Sequence, residues 1–180
     1  MKSLKNILVL MCSLLLLSAS CKKEKSKNPI DDLPPATQTG ANTFGCLVNG
    51  KAFLPKGSGL GGPILLTQYV YDNGIYTLYI SAFNKINNNH KTISIEIKNI
   101  VLSNNTINIL NNDSIKRGEY YTINSSLIDS YKTNSTNTGK LIVTYWDYNK
   151  GIISGTFSFD AVNATGEKVE IREGRFDVKL

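Results

Sequence analysis

The chain has 180 residues, with 20 basic and 14 acidic side chains, a single histidine and three cysteines. Cys12 and Cys21 fall in the first 21 residues and only Cys46 follows them, which excludes an intramolecular disulfide framework for the folded part. The remaining 160 residues after position 20 are enough for one domain with a real core, and too few for two ordinary ones.

Lys2 and Lys5 give a positive start, and Ile7–Leu17 is an almost wholly apolar run of 11 residues. That is the length of a signal-peptide core and too short for a membrane-spanning helix. Leu17-Ser18-Ala19-Ser20-Cys21 then resembles a lipobox. It predicts cleavage between Ser20 and Cys21 and a diacylglyceryl group on the Cys21 sulfur. The competing reading is plain secretion, with cleavage after Ala19 or Ser20 and Cys21 left as a free thiol. Two or more acyl chains hold a protein on a bilayer stably where one does not. The first partner expected is therefore the membrane itself, through a lipid anchor.

Losing Lys2 and Lys5 leaves 18 basic residues against 14 acidic ones, a net +4, and much of the excess is Lys22, Lys23, Lys25 and Lys27. Residues 22–41 are rich in Lys, Ser, Asn, Pro, Thr and Gly, the composition of a spacer. The organisation predicted is a signal peptide at 1–20, a lipidated cysteine with a flexible tether at 21–41, and one all-β domain at 42–180. Export and the lack of a basic stripe in the domain argue against nucleic acid as a partner.

From residue 42 the pattern has period two. Ile93, Ile95 and Ile97 alternate with Thr92, Ser94, Glu96 and Lys98. Tyr76/Leu78/Ile80, Phe157/Phe159/Ala161, Val169/Ile171 and Phe176/Val178 repeat the arrangement, which is that of half-buried strands. Asn49-Gly50 and Asp72-Asn73-Gly74 join apolar runs as tight hairpin turns, and Asn149-Lys150-Gly151 does so between Leu141–Tyr148 and Ile152–Ala161. Asn163–Gly166 leads into the last pair of runs. Residues 100–115 are Asn-rich and predict an irregular connection with one short strand at Thr106–Leu110. Residues 133–139 predict a polar loop. Nine or ten strands with one polar face each imply antiparallel sheets packed face to face, a two-sheet β-sandwich, with a partly closed β-barrel as the alternative.

Two blocks carry a resemblance. One is Pro34-Pro35-Ala36-Thr37-Gln38-Thr39-Gly40-Ala41-Asn42-Thr43-Phe44-Gly45-Cys46-Leu47-Val48-Asn49-Gly50. The other is Ile152–Ala161 followed by Gly174-Arg175-Phe176-Asp177-Val178. Together they resemble a Bacteroidetes lipoprotein family with a β-sandwich-like domain of unknown function. The resemblance implies a cell-envelope protein, lipid-anchored at the outer membrane, on either the periplasmic or the surface face. It assigns no catalytic residues.

Chemistry is sparse. There is no His-x-x-x-His, Cys-x-x-Cys or Ca²⁺-loop pattern, so no metal site and no cofactor are expected. Gly57-x-Gly59-x-Gly61-Gly62 lacks the helix and the Gly-Lys-Ser/Thr ending of a phosphate loop. Cys46 reads as a small buried apolar residue, because His90, the one available base, sits in an Asn-rich turn. Tyr145, Trp146 and Tyr148 form an aromatic group near a turn and are the candidate binding residues. Asp113-Ser114-Ile115 resembles a short O-glycosylation signal centred on Ser114. Two function classes follow. The first is a non-catalytic binding module for another envelope protein or a glycan, with Tyr145, Trp146 or Tyr148 on an exposed patch. The second is an envelope hydrolase with two carboxylates drawn from Glu96, Glu119, Asp147, Asp160, Glu170 and Asp177, brought together in a cleft.

Overall fold

The computed structural model describes residues 28–57, 62–86, 89–113, 115–124 and 127–180. Positions 20, 21 and 114, named above for cleavage, lipidation and glycosylation, lie outside the described residues, as do positions 58–61 of the glycine-rich segment. The fold is all-β. Among the described residues, eleven strands follow a 3-10 turn at Pro29–Asp32: β1 (Thr43–Val48), β2 (Lys51–Phe53), β3 (Leu65–Asp72), β4 (Ile75–Ile86), β5 (Asn89–Lys98), β6 (Thr106–Leu110), β7 (Lys116–Asn124), β8 (Leu127–Lys132), β9 (Gly139–Asp147), β10 (Ile152–Val162) and β11 (Lys168–Lys179).

All strand pairs are antiparallel, in the order β2-β1-β11-β10-β8-β7-β5-β4-β3, with β9 also on β10 and β6 on β9. β10 is where the sheet divides. One edge of it pairs with β9 over Ile152–Phe159, and its last residue, Val162, pairs with Lys132 of β8. The sheet is not closed into a barrel and is sandwich-like. Its halves, β2-β1-β11-β10-β9-β6 and β8-β7-β5-β4-β3, share one core containing Phe44, Leu78, Ile93, Ile95, Leu141, Val143, Ile153, Phe159, Ile171 and Phe176. The contact is close: Phe159 of one half lies against Gly118 of the other, where a Cβ would meet its ring at 3.0 Å.

The hairpin turns follow their residues. Asn49 and Gly50 have φ of 48° and 74°, and Asn73 and Gly74 have 48° and 86°. Two-residue turns of this kind need positive φ at both positions, which Asn and Gly accept. The two last apolar runs are one strand, not two. Glu173 (φ 54°) sits in a β-bulge where three steps of β11 oppose two of β10. The extra residue switches parity, so Val169 and Ile171 before it and Phe176 and Val178 after it all face the core.

The tether expected up to residue 41 is shorter than its composition implied. Residues 34–41 form a strap on β1, β10 and β11, and Leu33 is buried. Gly45 lies directly under the Pro34 ring, leaving no room for a Cβ. The strap's fastening is Asp177, which is fully buried. Its carboxylate accepts from Thr37 Oγ1 (2.6 Å), Thr39 N (3.0 Å), Thr39 Oγ1 (3.2 Å), Gly40 N (2.8 Å), Ala41 N (3.2 Å) and Ser154 Oγ (2.8 Å). Burial pushes this carboxyl up, but the donors of Thr37, Thr39, Ser154 and Gly40 override it and hold it well below the usual carboxylate range. Pro, Thr and Gly here serve a packed strap rather than a spacer, because a buried acceptor 136 to 140 positions downstream collects their donors.

Candidate functional site: an aromatic strip at one end of the sandwich

Five aromatic rings run in unbroken contact across one end of the molecule. Tyr71 lies 4.7 Å from Tyr76, Tyr76 stacks on Tyr69 at 4.8 Å, Tyr69 meets Trp146 edge-on at 5.6 Å, and Trp146 meets Tyr148 at 6.3 Å. These separations are those of favourable aromatic pairs. The first three rings come from the β3–β4 hairpin and the last two from β9 and its turn, so the strip joins the two halves of the sheet.

Local geometry puts them there. In the β3–β4 hairpin Tyr71 pairs directly with Tyr76, and Tyr69 with Leu78. Residues two apart share a face, so all four point the same way. Leu78 is fully buried, Tyr69 is half-buried, and Tyr76 and Tyr71 are 41 % and 62 % exposed. The strip is thus the inner face of the sheet continued past the point where the other half covers it. Tyr69 is locked: its hydroxyl donates to Ile100 O (3.2 Å) and accepts from Leu102 N (3.5 Å).

On β9 a bulge decides the orientation. Val143 pairs with Gly155 and Tyr145 with Ser154, leaving Thr144 as an extra residue. Leu141 and Val143 face the core before it, and after it the inward residue is Trp146, which packs on the core's rim. Its backbone N–H donates to Asn104 Oδ1 (2.6 Å), tying β9 to the loop before β6. Tyr148 follows in the turn and is 81 % exposed.

Of the three aromatics picked from the sequence, Trp146 and Tyr148 belong to the strip and Tyr145 does not. Tyr145 makes no ring contact among the described residues, and its hydroxyl donates to Asp147 Oδ2 (3.1 Å) on its own strand. Tyr69, Tyr71 and Tyr76 complete the site. Their signal was in the sequence: once Asn73-Gly74 is a two-residue turn, Tyr71 and Tyr76 must stand opposite each other. The polar flank includes Asp72, Asn73, Asn104 and Asn149, all from the turns and loops at this end.

The carboxylates are held otherwise. Arg117 bridges Glu96 and Glu119, and Lys98 and Lys132 add to that group. Lys168 and Arg172 both pair with Asp160 and Glu170. Asp147 pairs with Lys150 at 3.2 Å, and Asp177 is consumed by the strap. Asp113 Oδ1 accepts from Ile115 N (3.1 Å) and Lys116 N (3.0 Å), an ordinary turn cap. Cys46 is fully buried and burial pushes its thiol up, away from the thiolate a nucleophile needs. His90 is exposed on β5. Among the described residues no cluster of His, Cys, Asp and Glu could hold a metal ion, and no helix is long and apolar enough to cross a membrane. No protein-family profile, curated protein or solved structure matches this chain.

Proposed function

We propose that the chain is a lipid-anchored cell-envelope lipoprotein whose β-domain is a non-catalytic binding module, with the aromatic strip as its contact surface. The observation that carries this reading is the row of Tyr71, Tyr76, Tyr69, Trp146 and Tyr148, exposed at both ends and fixed in the middle. Rigid aromatic rings give large contact area at low entropic cost. The flat faces, set among Asn and Asp side chains, suit the faces of sugar rings, with a protein partner as the other ligand class.

The anchor reading rests on the leader and Cys21. With the strap fastened to the domain, six residues lie between Cys21 and Asn28, seven steps of chain with a reach of at most about 25 Å. A lipidated protein of this design works close to its membrane, as an outer-membrane lipoprotein of the resembled kind would. The hydrolase reading has less support, because each of its six candidate acids is committed to a cation or to the strap.

Trp146 is the single tryptophan of the chain, so its emission reports on the strip alone. Titration with fragments of envelope polysaccharide should change that emission saturably, and Tyr148→Ala should abolish the change while leaving the fold intact. An emission that ignores every glycan and every candidate envelope protein removes the basis for the reading.

A further inference from the structure

The opposite end of the sandwich holds a second feature of different chemistry. β4 starts at Ile75 beside the strip and ends at Ile86, eleven steps and about 36 Å away. There a cavity of about 330 Å³ opens between the β1–β2 hairpin of one half and β4, β5 and β7 of the other. That volume is within the range of small-molecule sites. Lys51 and Lys91 line it, and no acidic residue does. Neither lysine makes an ion pair among the described residues, whereas Lys98, Lys132, Lys150 and Lys168 all do. Phe53 and Ile86 supply apolar wall.

Tyr120 is the second and independent sign. Its ring is largely buried, the residue being only 6 % exposed, and it lines the same cavity. Its hydroxyl makes no hydrogen bond to protein among the described residues but is reached by solvent, since it is not one of the fully buried polar atoms left without a partner. A phenol placed this way keeps its donor open to whatever enters the cavity. Burial and the neighbouring Tyr131 push this phenol up to about 12, so it stays protonated at neutral pH and can donate. Two lysines without an ion-pair partner among the described residues and a phenol hydroxyl open to the cavity, set around an apolar wall, ask for one kind of ligand.

We infer that this cavity binds a small organic carboxylate, its charge between Lys51 and Lys91, its body against Phe53 and Ile86, and a Tyr120 hydrogen bond to its oxygen. The site is independent of the aromatic strip, and so is its test. Ligand-observed fluorine NMR of 4-fluorobenzoate with the full-length chain should show saturable line broadening. The variant K51Q/K91Q should weaken that binding about tenfold or more, and Tyr120→Phe, which keeps the ring in the core, should weaken it severalfold. Tyr148→Ala, in the strip, should leave it unchanged, and neutral 4-fluorobenzyl alcohol should not bind. Absence of broadening, equal broadening by the alcohol, or binding that survives K51Q/K91Q would each overturn the inference. Displacement by inorganic phosphate at the same concentration as by benzoate would overturn the assignment to an organic acid.

Discussion

Replacing Asp177 by Asn tests the strap directly. The side chain keeps its size but loses its charge and one acceptor oxygen, and its amide N–H groups would face donors. Six donors at 2.6 to 3.2 Å now converge on that carboxylate. At least two of them would be left without an acceptor in a buried place, at about 1–3 kcal/mol each. Breaking a buried charged network costs about 3–5 kcal/mol in comparable cases. We therefore expect D177N to lose about 3–5 kcal/mol in urea unfolding, a large share of the stability of a domain this size. Hydrogen exchange at Thr39, Gly40 and Ala41 should accelerate with it. The pH dependence has a definite sign. A carboxyl depressed on folding stabilises fully above its unfolded value, near 3.9. That stabilisation declines as pH falls below the unfolded value and is gone below the depressed folded one. The wild type should lose stability across that acid window, and D177N should lose less there. A loss under about 1 kcal/mol, with the strap amides still protected, would refute the account of the strap.

Three further outcomes follow. Gly155→Ala should destabilise by about 2 kcal/mol or more, because its Cβ would strike Ile142 O on β9 and lie 2.6 Å from the Phe176 ring; differential scanning calorimetry reads this as a lower Tm. Cys46 should resist iodoacetamide in the native protein and react on unfolding, as peptide mass mapping would show, since the thiol is buried and protonated. Tyr148→Ala should change stability by no more than about 0.5 kcal/mol in urea unfolding, given its 81 % exposure.

The strands were legible because alternation and turn chemistry agree. Asn49-Gly50 and Asn73-Gly74 placed hairpins correctly, and even the short β6 fell at Thr106–Leu110 as its lone alternating run suggests. Three things were not legible, each for a physical reason. The β11 bulge at Glu173 hides one strand as two, since parity reverses across it. The β9 bulge at Thr144 determines that Trp146 and not Tyr145 joins the strip, and no local residue pattern announces it. The strap looks like linker because its Thr and Gly donors are satisfied by Asp177, far away in sequence. Even Thr92 and Ser94, polar by type and outward by alternation, are buried, and Ser94 shares a 2.8 Å hydroxyl contact with Ser81. The second half of the site was closer to the surface of the sequence, as the register of one hairpin fixes Tyr71 opposite Tyr76.

The most direct test of the central claim is a photo-reactive phenylalanine analogue placed at Tyr148 and activated in intact cells. The account predicts one or a few discrete cross-linked glycan or protein species, lost when the Cys21→Ala version removes the anchor and lost again with Trp146→Ala. Cross-linking that is diffuse, or equal to that from an analogue placed at exposed Leu127 on β8, would contradict it.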